Sequence, residues 1–343
     1  MIRGHRVAVV IPAYRVERQV GAVLARMPAY IDRVIVVEDA SPDGTAEAVR
    51  AAADPRVLLL RHATNQGVGG AMRTGFTKAL EEGADIVVKC DGDGQMDPAA
   101  IGPLLAPLLE GRAEYAKACR FHHFRQLQAM PAVRLAGNVA LTFLTKLASG
   151  YWHVLDPQNG FVAIRAETLR RLPLHRLARG YFFENDMLIR LNSLEARVAD
   201  VALPSRYGDE TSSLRPGRAL LEFPFRLLAG FVRRLFWRYV FYDVSPVALF
   251  AFAGAALFLF GAVFGIHTWI ANSRINRETP TGAVMLAAMP VILGFQLMLQ
   301  AIVLDVQNSP RPDRGSPDGP ARPEDAAASE AARVAGPASP PRG

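Results

Sequence analysis

The sequence predicts an α/β domain with a mostly parallel sheet, followed by a membrane hairpin of two helices. Short β-branched apolar runs alternate with helical patterns early in the chain, which is typical of βαβ units with right-handed crossovers. The strand-like runs span residues 6–11, 33–38, 57–61 and 85–88. Residues 246–270 and 281–304 contain no Asp, Glu, Lys or Arg. Each run is at least as long as the roughly 20 apolar residues that cross a bilayer as a helix.

The remaining elements are predicted from helix and turn signals between these runs. Residues 15–27 have a helical pattern, a second helix begins near Thr45, and a third ends near Glu82. The later part of the chain is less regular. It predicts strands at 114–120, 160–165 and 197–203, and helices at 134–147, 167–171 and 184–194.

The C-terminal part divides into three predicted segments. Residues 217–240 carry arginines and aromatic residues at helical spacing, which favours interfacial helices on a bilayer surface, with core-packed helices as the alternative. A buried core hairpin is the alternative for the two spans. From Ser309 to Gly343 the chain is rich in Pro, Ala, Gly and charged residues with almost no large apolar residue, which predicts disorder. The domain boundaries are 1–212 for the α/β domain, 213–243 for the interfacial helices, 244–306 for the two spans and 307–343 for the tail.

Charge and cysteine content indicate where the protein resides. The formal net charge is +7, but arginines gather just before the first span, so attraction to anionic lipid headgroups explains this charge better than nucleic acid does. These arginines are Arg226, Arg233, Arg234 and Arg238. The positive-inside rule places this side in the cytoplasm, and two spans return the chain to the same side. We therefore expect a multi-pass protein of the inner or plasma membrane with both termini cytoplasmic. Two cysteines without a metal spacing indicate a reducing compartment.

A pair of aspartates after the fourth strand is the strongest chemical signal. Asp91 and Asp93 follow the apolar run 85–88, with Gln95 two residues further on. Intervening glycines leave room for a bulky anionic ligand near the backbone. Carboxylate and amide oxygens suit Mg²⁺ or Mn²⁺ that bridges to phosphate oxygens. The motif predicts a metal site, and a polar loop after a strand is the alternative.

Polar residues also follow the first two strands. Pro12, Tyr14 and Glu17 lie at or after the first strand, and Asp39 ends the second. Ligands of parallel sheets bind beyond the carboxyl ends of the strands, so these residues are candidates for binding a nucleoside. Asp39 is placed to accept hydrogen bonds from a base or ribose, or else is an ordinary turn residue.

The glycine-rich loop 65–71 does not match the dinucleotide-binding fingerprint. From Gly67 the last glycine of that motif would fall at Met72, and the loop follows the third strand rather than the first. We expect its glycines to let the next helix pack tightly beside the sheet. Three glycines of the first span, Gly254, Gly261 and Gly265, are expected to permit close packing between subunits. His5 and His62 are expected at the surface.

Two sets of charged residues in the second half lack a clear motif. Three arginines near the edges of predicted elements would bind a phosphate bidentately if they converge, and are solvated otherwise. These are Arg120, Arg134 and Arg206. Three carboxylates are candidates for orienting reacting groups, with helix capping as the alternative for the last two. These are Asp156, Glu184 and Asp186.

Together these motifs resemble family 2 glycosyltransferases with the GT-A fold. Within that family they are most similar to dolichyl-phosphate mannose synthases and bacterial polyprenyl-phosphate glycosyltransferases, over about residues 6–210. The resemblance implies a Rossmann-like sheet with helices on both faces. The motifs are Pro12-Ala-Tyr14 with Glu17, Glu38 to Gly44, Asn65-Gln-Gly67, Asp91 to Gln95, Asp156 with Gly160-Phe161, and Glu184-Asn-Asp186.

The resemblance also implies a role for each set of residues. The nucleoside-binding set is Pro12, Tyr14, Glu17, Asp39 and Asp91, and the metal-binding set is Asp91, Asp93 and Gln95. The acceptor-phosphate set is Arg120, Arg134, Asn138 and Arg206. The catalytic set is Asp91, Asp93, Arg120, Arg134, Asp156, Glu184, Asp186 and Arg206. The sequence departs from the family pattern in having Arg15-Val16 after the tyrosine, Glu38 for an aspartate, and Asn138 where a serine is frequent.

The implied function is that of a metal-dependent, inverting hexosyltransferase. It would move mannose or glucose from a GDP- or UDP-linked donor to a polyprenyl phosphate at the cytoplasmic membrane face, using Mg²⁺ or Mn²⁺. Expected partners are these two substrates, membrane lipid and a second copy of the chain, but no nucleic acid. One alternative is transfer to another lipid such as a diacylglycerol, with Glu184 or Asp186 as the base. Another is a non-catalytic nucleotide-binding membrane scaffold.

Overall fold

The computed structural model describes residues 1–119, 132–203, 216–241 and 245–313, with backbone alone at 132–136, 138 and 216–221. Its centre is a seven-stranded sheet in the order β3-β2-β1-β4-β6-β5-β7. The strands are β1 Val7–Ala13, β2 Arg33–Glu38, β3 Val57–Arg61, β4 Ile86–Lys89, β5 Tyr115–Cys119, β6 Val162–Arg165 and β7 Val198–Ala202. Only β6 runs antiparallel to its neighbours β4 and β5 in this described sheet. The predicted mostly parallel sheet is confirmed.

Helices cover both faces of the sheet, also as predicted. They are α1 Val20–Ala25, α2 Thr45–Ala51, α3 Val68–Glu81, α4 Ile101–Leu109, α5 Ala132–Ser149, α6 Ala166–Arg171 and α7 Phe183–Ser193. Alternate residues of β1 enter different cores, since successive side chains of a strand point to opposite faces. Val9 packs in a cluster with α1 and α4, and Val10 in a cluster with α3, α6 and α7.

The helix predicted over residues 15–27 is shorter in the structure and begins at Val20. Arg15 has a left-handed φ of 57°, which an α-helix does not allow. Its backbone N–H donates to Ser41 Oγ at 2.7 Å, and that of Val16 donates to Thr45 Oγ1 at 3.1 Å. The turn after β2 therefore binds the chain that leaves β1, and the helix starts only beyond it.

The region predicted as interfacial helices forms one long helix, α8 Pro216–Phe236, which continues in a π-helical turn at Trp237–Phe241. Among its described side chains, an exposed apolar stripe includes Phe225, Leu228 and Val232.

Two helices after this region, α9 Pro246–Arg274 and α10 Thr281–Gln307, are long and apolar enough to cross a membrane. At 1.5 Å per residue they measure about 44 and 40 Å. A Cβ added at Gly254 would lie 2.8 Å from the Gly294 carbonyl oxygen. One added at Gly261 would lie 2.6 Å from that of Ala287. Gly254 and Gly261 thus let α9 pack closely against α10 within the chain.

A buried polar cluster fastens the hairpin to the rest of the protein. Arg234 of α8 is fully buried, and its Nη1 and Nη2 donate to the two carboxylate oxygens of Asp305 on α10, at 2.7 and 2.8 Å. Arg234 Nε donates to the Ala148 carbonyl oxygen at 2.9 Å, and Tyr239 donates to Asp305 at 2.8 Å. The expectation that the arginines before the first span contact lipid headgroups is therefore wrong for Arg234, and for the buried Arg238.

The first residues of the segment assigned to the C-terminal tail contact the rest of the protein. Arg238 Nη2 donates to the Asn308 carbonyl oxygen at 2.5 Å, and Ser309 Oγ donates to that of Gly150 at 2.7 Å. These contacts keep residues 308 and 309 against the helices that flank the sheet. Residues 314–343 lie outside the described part of the chain.

Candidate active site

The carboxyl edge of the sheet at β1 and β4 is where a ligand site is expected. The chain runs from β1 outward to β2 and β3, then returns to the other side of β1 with β4. Strand order reverses at that point, which is where open α/β sheets bind their ligands. Most of the sequence-predicted residues follow these strands.

The turn after β2 shapes the backbone after β1. Asp43 accepts hydrogen bonds from Ser41 Oγ and Thr45 Oγ1, both at 2.6 Å. Burial acts to raise the pKa of Asp43, but these hydrogen bonds outweigh it and lower that pKa. The charged carboxylate thereby fixes the hydroxyls that hold Arg15 and Val16.

The predicted nucleoside-binding residues of β1 lie beside this turn. Pro12 is part of β1 and is half-buried. Tyr14 is 43% exposed, and the Arg15 guanidinium lies over its ring at 5.3 Å. Glu17 Oε2 accepts a hydrogen bond from the Gly44 N–H at 3.1 Å. An exposed aromatic ring at the carboxyl end of β1 offers a surface on which a planar base can stack.

Asp39 is buried at the end of β2 and holds the glycine-rich loop. Its Oδ1 and Oδ2 accept from the backbone N–H groups of Gln66 and Gly67 at 2.9 and 2.7 Å. His62 Nδ1 lies 2.6 Å from Asp39 Oδ1, and its Nε2 lies 2.9 Å from Thr74 Oγ1. The expectation of a surface position for His62 is wrong, because its side chain bridges β2 to α3.

The glycines of this loop contact a different partner from the one expected. Gly67 has a φ of 78°, which glycine adopts without strain. A Cβ at Gly69 would overlap the Ala178 carbonyl oxygen, so the start of α3 packs closely against the chain before α7. The tight contact of α3 with the sheet comes later, where Gly75 faces Val10.

The predicted metal-binding residues follow β4 directly. The side chain of Asp91 is 29% exposed, and its Oδ1 accepts a hydrogen bond from Lys89 Nζ at 2.6 Å. The Asp91 N–H donates to Met96 Sδ at 3.2 Å. Asp93 Oδ1 accepts from the Gln95 N–H at 3.0 Å. These contacts place both carboxylates and the Gln95 amide in one short turn.

This turn has the donor chemistry of a site for a hard cation. Its oxygens are carboxylate and amide oxygens, which Mg²⁺ and Mn²⁺ prefer. In the part of the chain that the structure describes, no three His, Cys, Asp or Glu side chains converge as a metal-binding group. A cation held by Asp91 and Asp93 therefore needs further oxygen ligands, from a bound diphosphate or from water.

The two carboxylates at the start of α7 have different surroundings. Glu184 Oε1 lies 3.5 Å from Lys89 Nζ, so Glu184 and Asp91 share one ammonium group. Burial acts to lower the pKa of Lys89, but these two carboxylates outweigh it and raise that pKa. Asp186 accepts from Arg190 Nε at 2.9 Å and from Arg233 Nη2 at 2.6 Å. Asp186 thus connects α7 to α8.

The loop 156–160 covers the sheet beside these groups. Asp156 is buried, and the Asn159 amide donates to its Oδ2 at 3.4 Å. Lys117 of β5 donates from its fully buried Nζ to the Asn159 carbonyl oxygen. Burial lowers the pKa of Lys117 to about 8, and burial raises the pKa of its strand neighbour Asp200 to about 6.

The predicted acceptor-phosphate residues are only partly described. Arg120 and Arg206 lie outside the described residues, and Arg134 and Asn138 belong to α5, where only their backbone is described. The last residues of β5 and β7 are paired in parallel.

Three positions missed by the sequence analysis are Lys89, Lys117 and His62. Two of them had a readable signal, because a lysine interrupts an otherwise apolar or small-residue strand in Ile86–Lys89 and in Tyr115–Cys119. A charged side chain inside a sheet core needs a buried partner. The structure supplies these partners. Asp91 is two residues from Lys89, whereas Glu184 and the carbonyl oxygens of Asn159 and Gly160 are far away in sequence.

Known proteins share both the sequence pattern and the fold of this chain. The model of the family described as glycosyl transferase family 2 matches residues 8–172. The UDP-N-acetylglucosamine–dolichyl-phosphate N-acetylglucosaminyltransferase of Methanococcus voltae is 30% identical, over 64% of this chain and 93% of that protein. The undecaprenyl-phosphate mannosyltransferase of Micrococcus luteus is 32% identical, over 58% of this chain and 82% of that protein.

A solved structure with the same fold is glucosyl-3-phosphoglycerate synthase from Mycobacterium tuberculosis, in complex with Mn²⁺, UDP-glucose and phosphoglyceric acid. It has a TM-score of 0.51 and 26% sequence identity, over 67% of this chain and 80% of that one. The sheet with its covering helices is thus GT-A-like. The family model matches this chain, and the chain aligns with most of the length of both relatives. It therefore belongs to glycosyl transferase family 2.

Proposed function

We propose that this chain transfers one hexose from a nucleotide-sugar to a polyprenyl phosphate at a membrane face, with a divalent metal and with inversion at the sugar. One observation carries the proposal: the acidic turn of Asp91 and Asp93 stands at the carboxyl edge of a sheet that is fastened to two membrane-length helices. The named relatives that act on dolichyl and undecaprenyl phosphates support the lipid acceptor.

The donor nucleoside is proposed to bind after β1 and β2. Pro12, Tyr14 and Glu17 would line this site, with the exposed Tyr14 ring available for stacking on the base. Asp39 would act through the glycine loop that it holds, or on the ribose directly. UDP is the first donor nucleotide to test, since the N-acetylglucosaminyltransferase relative is named for it. Mannose, glucose and N-acetylglucosamine are the sugars to compare.

The donor diphosphate is proposed to bind at the end of β4. Asp91, Asp93 and Gln95 would hold Mg²⁺ or Mn²⁺, which when bound would stabilise the charge that develops on the leaving diphosphate. Asp91 keeps one carboxylate oxygen on Lys89, and this contact restricts its orientation. Glu184 and the buried Asp156 would help to orient the reacting groups.

The acceptor phosphate is proposed to bind near the segments after β5 and β7. Arg120, Arg134 and Arg206 would bind it with Asn138, because guanidinium groups suit phosphate bidentately. A phosphate oxygen is already anionic at neutral pH, so placement matters more than a base. The engagement of Asp186 by two arginines favours this acceptor over an alcohol that needs a base.

The membrane arrangement is part of the same proposal. Residues 1–212 would form the catalytic domain, 213–243 an interfacial region and 244–306 a two-span hairpin in the inner or plasma membrane. By the positive-inside rule, the arginines before the first span would put the catalytic domain and both termini in the cytoplasm. The exposed Phe225, Leu228 and Val232 would enter the lipid interface.

Transfer of labelled sugar into an organic-extractable lipid tests the proposal. Membranes containing the protein would receive a panel of UDP-, GDP- and dTDP-sugars, added polyprenyl phosphate and Mg²⁺ or Mn²⁺. We expect an acid-labile, alkali-stable product from one donor, which disappears with a chelator. Asp91→Asn should lower turnover by about 100-fold or more, because it removes a metal-binding charge. The exposed Glu47→Gln is the matched control and should retain full activity.

The other outcomes separate the alternatives. An alkali-labile glycerolipid product would refute the phosphate acceptor and favour an alcohol acceptor. Absence of product with every donor and acceptor, together with retained nucleotide binding in Asp91→Asn, would favour a non-catalytic scaffold.

A further inference from the structure

Two lysines lie within the sheet core beside the candidate site. Lys89 on β4 and Lys117 on β5 are 1% and 0% exposed. Both are paired in register with Val162 of β6, the strand between them. Paired residues of neighbouring strands point to the same face of a sheet, so the two ammonium groups lie on one face, two strands apart.

The two lysines bind consecutive carbonyl groups of one loop. Lys117 Nζ donates to the Asn159 carbonyl oxygen. Lys89 Nζ donates to the Gly160 carbonyl oxygen at 3.2 Å and to Asp91 Oδ1 at 2.6 Å. Lys89 therefore joins the loop to the Asp91 carboxylate, and Lys117 holds the preceding residue of the same loop.

The loop lies directly against the acidic turn. A Cβ added at Gly160 would overlap the Lys89 ammonium and would lie 3.2 Å from Asp91 Oδ2. Asp156, at the other end of the loop, is buried and receives the Asn159 amide. A shift of the loop by about 1 Å would therefore move both Asp156 and the wall beside Asp91, a displacement large enough to impair positioning-dependent catalysis.

We propose that Lys89 and Lys117 are positioning residues for the proposed transfer reaction, which clamp the Asn159–Gly160 peptide beside Asp91. This inference rests on the proposed function for its catalytic consequence, but the clamp itself is independent of it. Residues that hydrogen-bond to a metal-binding carboxylate hold it in its productive orientation. The charges that face Lys117 are Glu184 of α7, Asp156 of the loop, Lys89 of β4 and Asp200 of β7.

Because Lys117 is charged and fully buried, core packing alone does not explain its presence. A buried charged group destabilises the fold unless it is fully paired, and burial lowers the pKa of this lysine to about 8. An apolar side chain of similar length would pack in the same space without that penalty. We therefore expect Lys117→Met to leave the protein at least as stable while it releases the loop.

Hydrogen–deuterium exchange of the full chain in detergent, without ligands, tests the clamp. Peptides covering residues 156–163 should exchange about tenfold faster in Lys117→Met and in Lys89→Met than in the wild type, and β1 peptides should not change. Lys78→Met removes one charge from the exposed side of α3 and is the control. Its loop exchange should match the wild type.

Steady-state transfer kinetics test the catalytic consequence. In Lys117→Met we expect kcat to fall about tenfold or more, with KM for the nucleotide-sugar within about twofold, as is typical for lost supporting contacts. Unchanged loop exchange would overturn the clamp. Faster exchange with unchanged kcat would overturn the positioning role. If the wild type transfers no sugar, the proposed function fails, and the exchange result alone decides whether the clamp exists.

Discussion

The ion pair between Arg234 and Asp305 joins the sheet domain to the apolar hairpin, and Asp305→Leu tests how much this joint stabilises the protein. In the variant the Arg234 guanidinium stays buried but loses both bonds to the carboxylate. It keeps its bonds to the carbonyl oxygens of Ala148 and Leu147. Removing one partner of a buried pair costs about 3–5 kcal/mol. At roughly 2–4 °C per kcal/mol, Tm should fall by about 6–20 °C.

Thermal unfolding in detergent, followed by tryptophan fluorescence, measures this change. The double variant Arg234→Met/Asp305→Leu should recover at least half of the loss, because it leaves no unpaired buried charge. Glu47→Ala breaks an exposed ion pair with Arg50 and should leave Tm unchanged. The reasoning is refuted if Asp305→Leu changes Tm no more than Glu47→Ala does, or if the double variant is as unstable as the two single variants combined.

Two further predictions concern backbone space and pH. Gly69→Ala should lower Tm strongly, because its Cβ would overlap a neighbouring backbone carbonyl oxygen. In Gly21→Ala of α1 the new Cβ meets nothing within 4 Å, so this control should stabilise the protein by about 0.5–1 kcal/mol. Equal effects of the two substitutions on Tm would contradict the packing argument. Because burial lowers the pKa of Lys117 to about 8 in the folded state, its charge destabilises the fold by the full amount below about pH 8. This destabilisation decreases as the pH rises from about 8 to the unfolded-state pKa of 10.5. The stability of the wild type relative to Lys117→Met should therefore rise by about 3 kcal/mol from pH 7 to above 10.5, and a constant difference would refute the lowered pKa.

The sequence predicted the position of the acidic turn after β4 better than it predicted the residues that contact this turn. Asp91, Asp93 and Gln95 are adjacent in sequence and follow a recognisable strand, so their proximity needs no tertiary information. Two of the three partners of Lys89 are different, because Gly160 and Glu184 come to it only through β6 and α7. A lone lysine in an apolar strand signals that a partner exists but not which one.

Local periodicity and composition determined the α/β class and the two membrane-length helices, since each depends on residues close together in the chain, and the family resemblance added the helices on both faces. Tertiary structure decided the antiparallel insertion of β6, the burial of His62 against Asp39 and the joint between Arg234 and Asp305. Each of these depends on contacts between residues distant in sequence. Local patterns determine which face of an element is apolar, but the choice of polar partner is made only when the chain has folded and water is excluded from the contact.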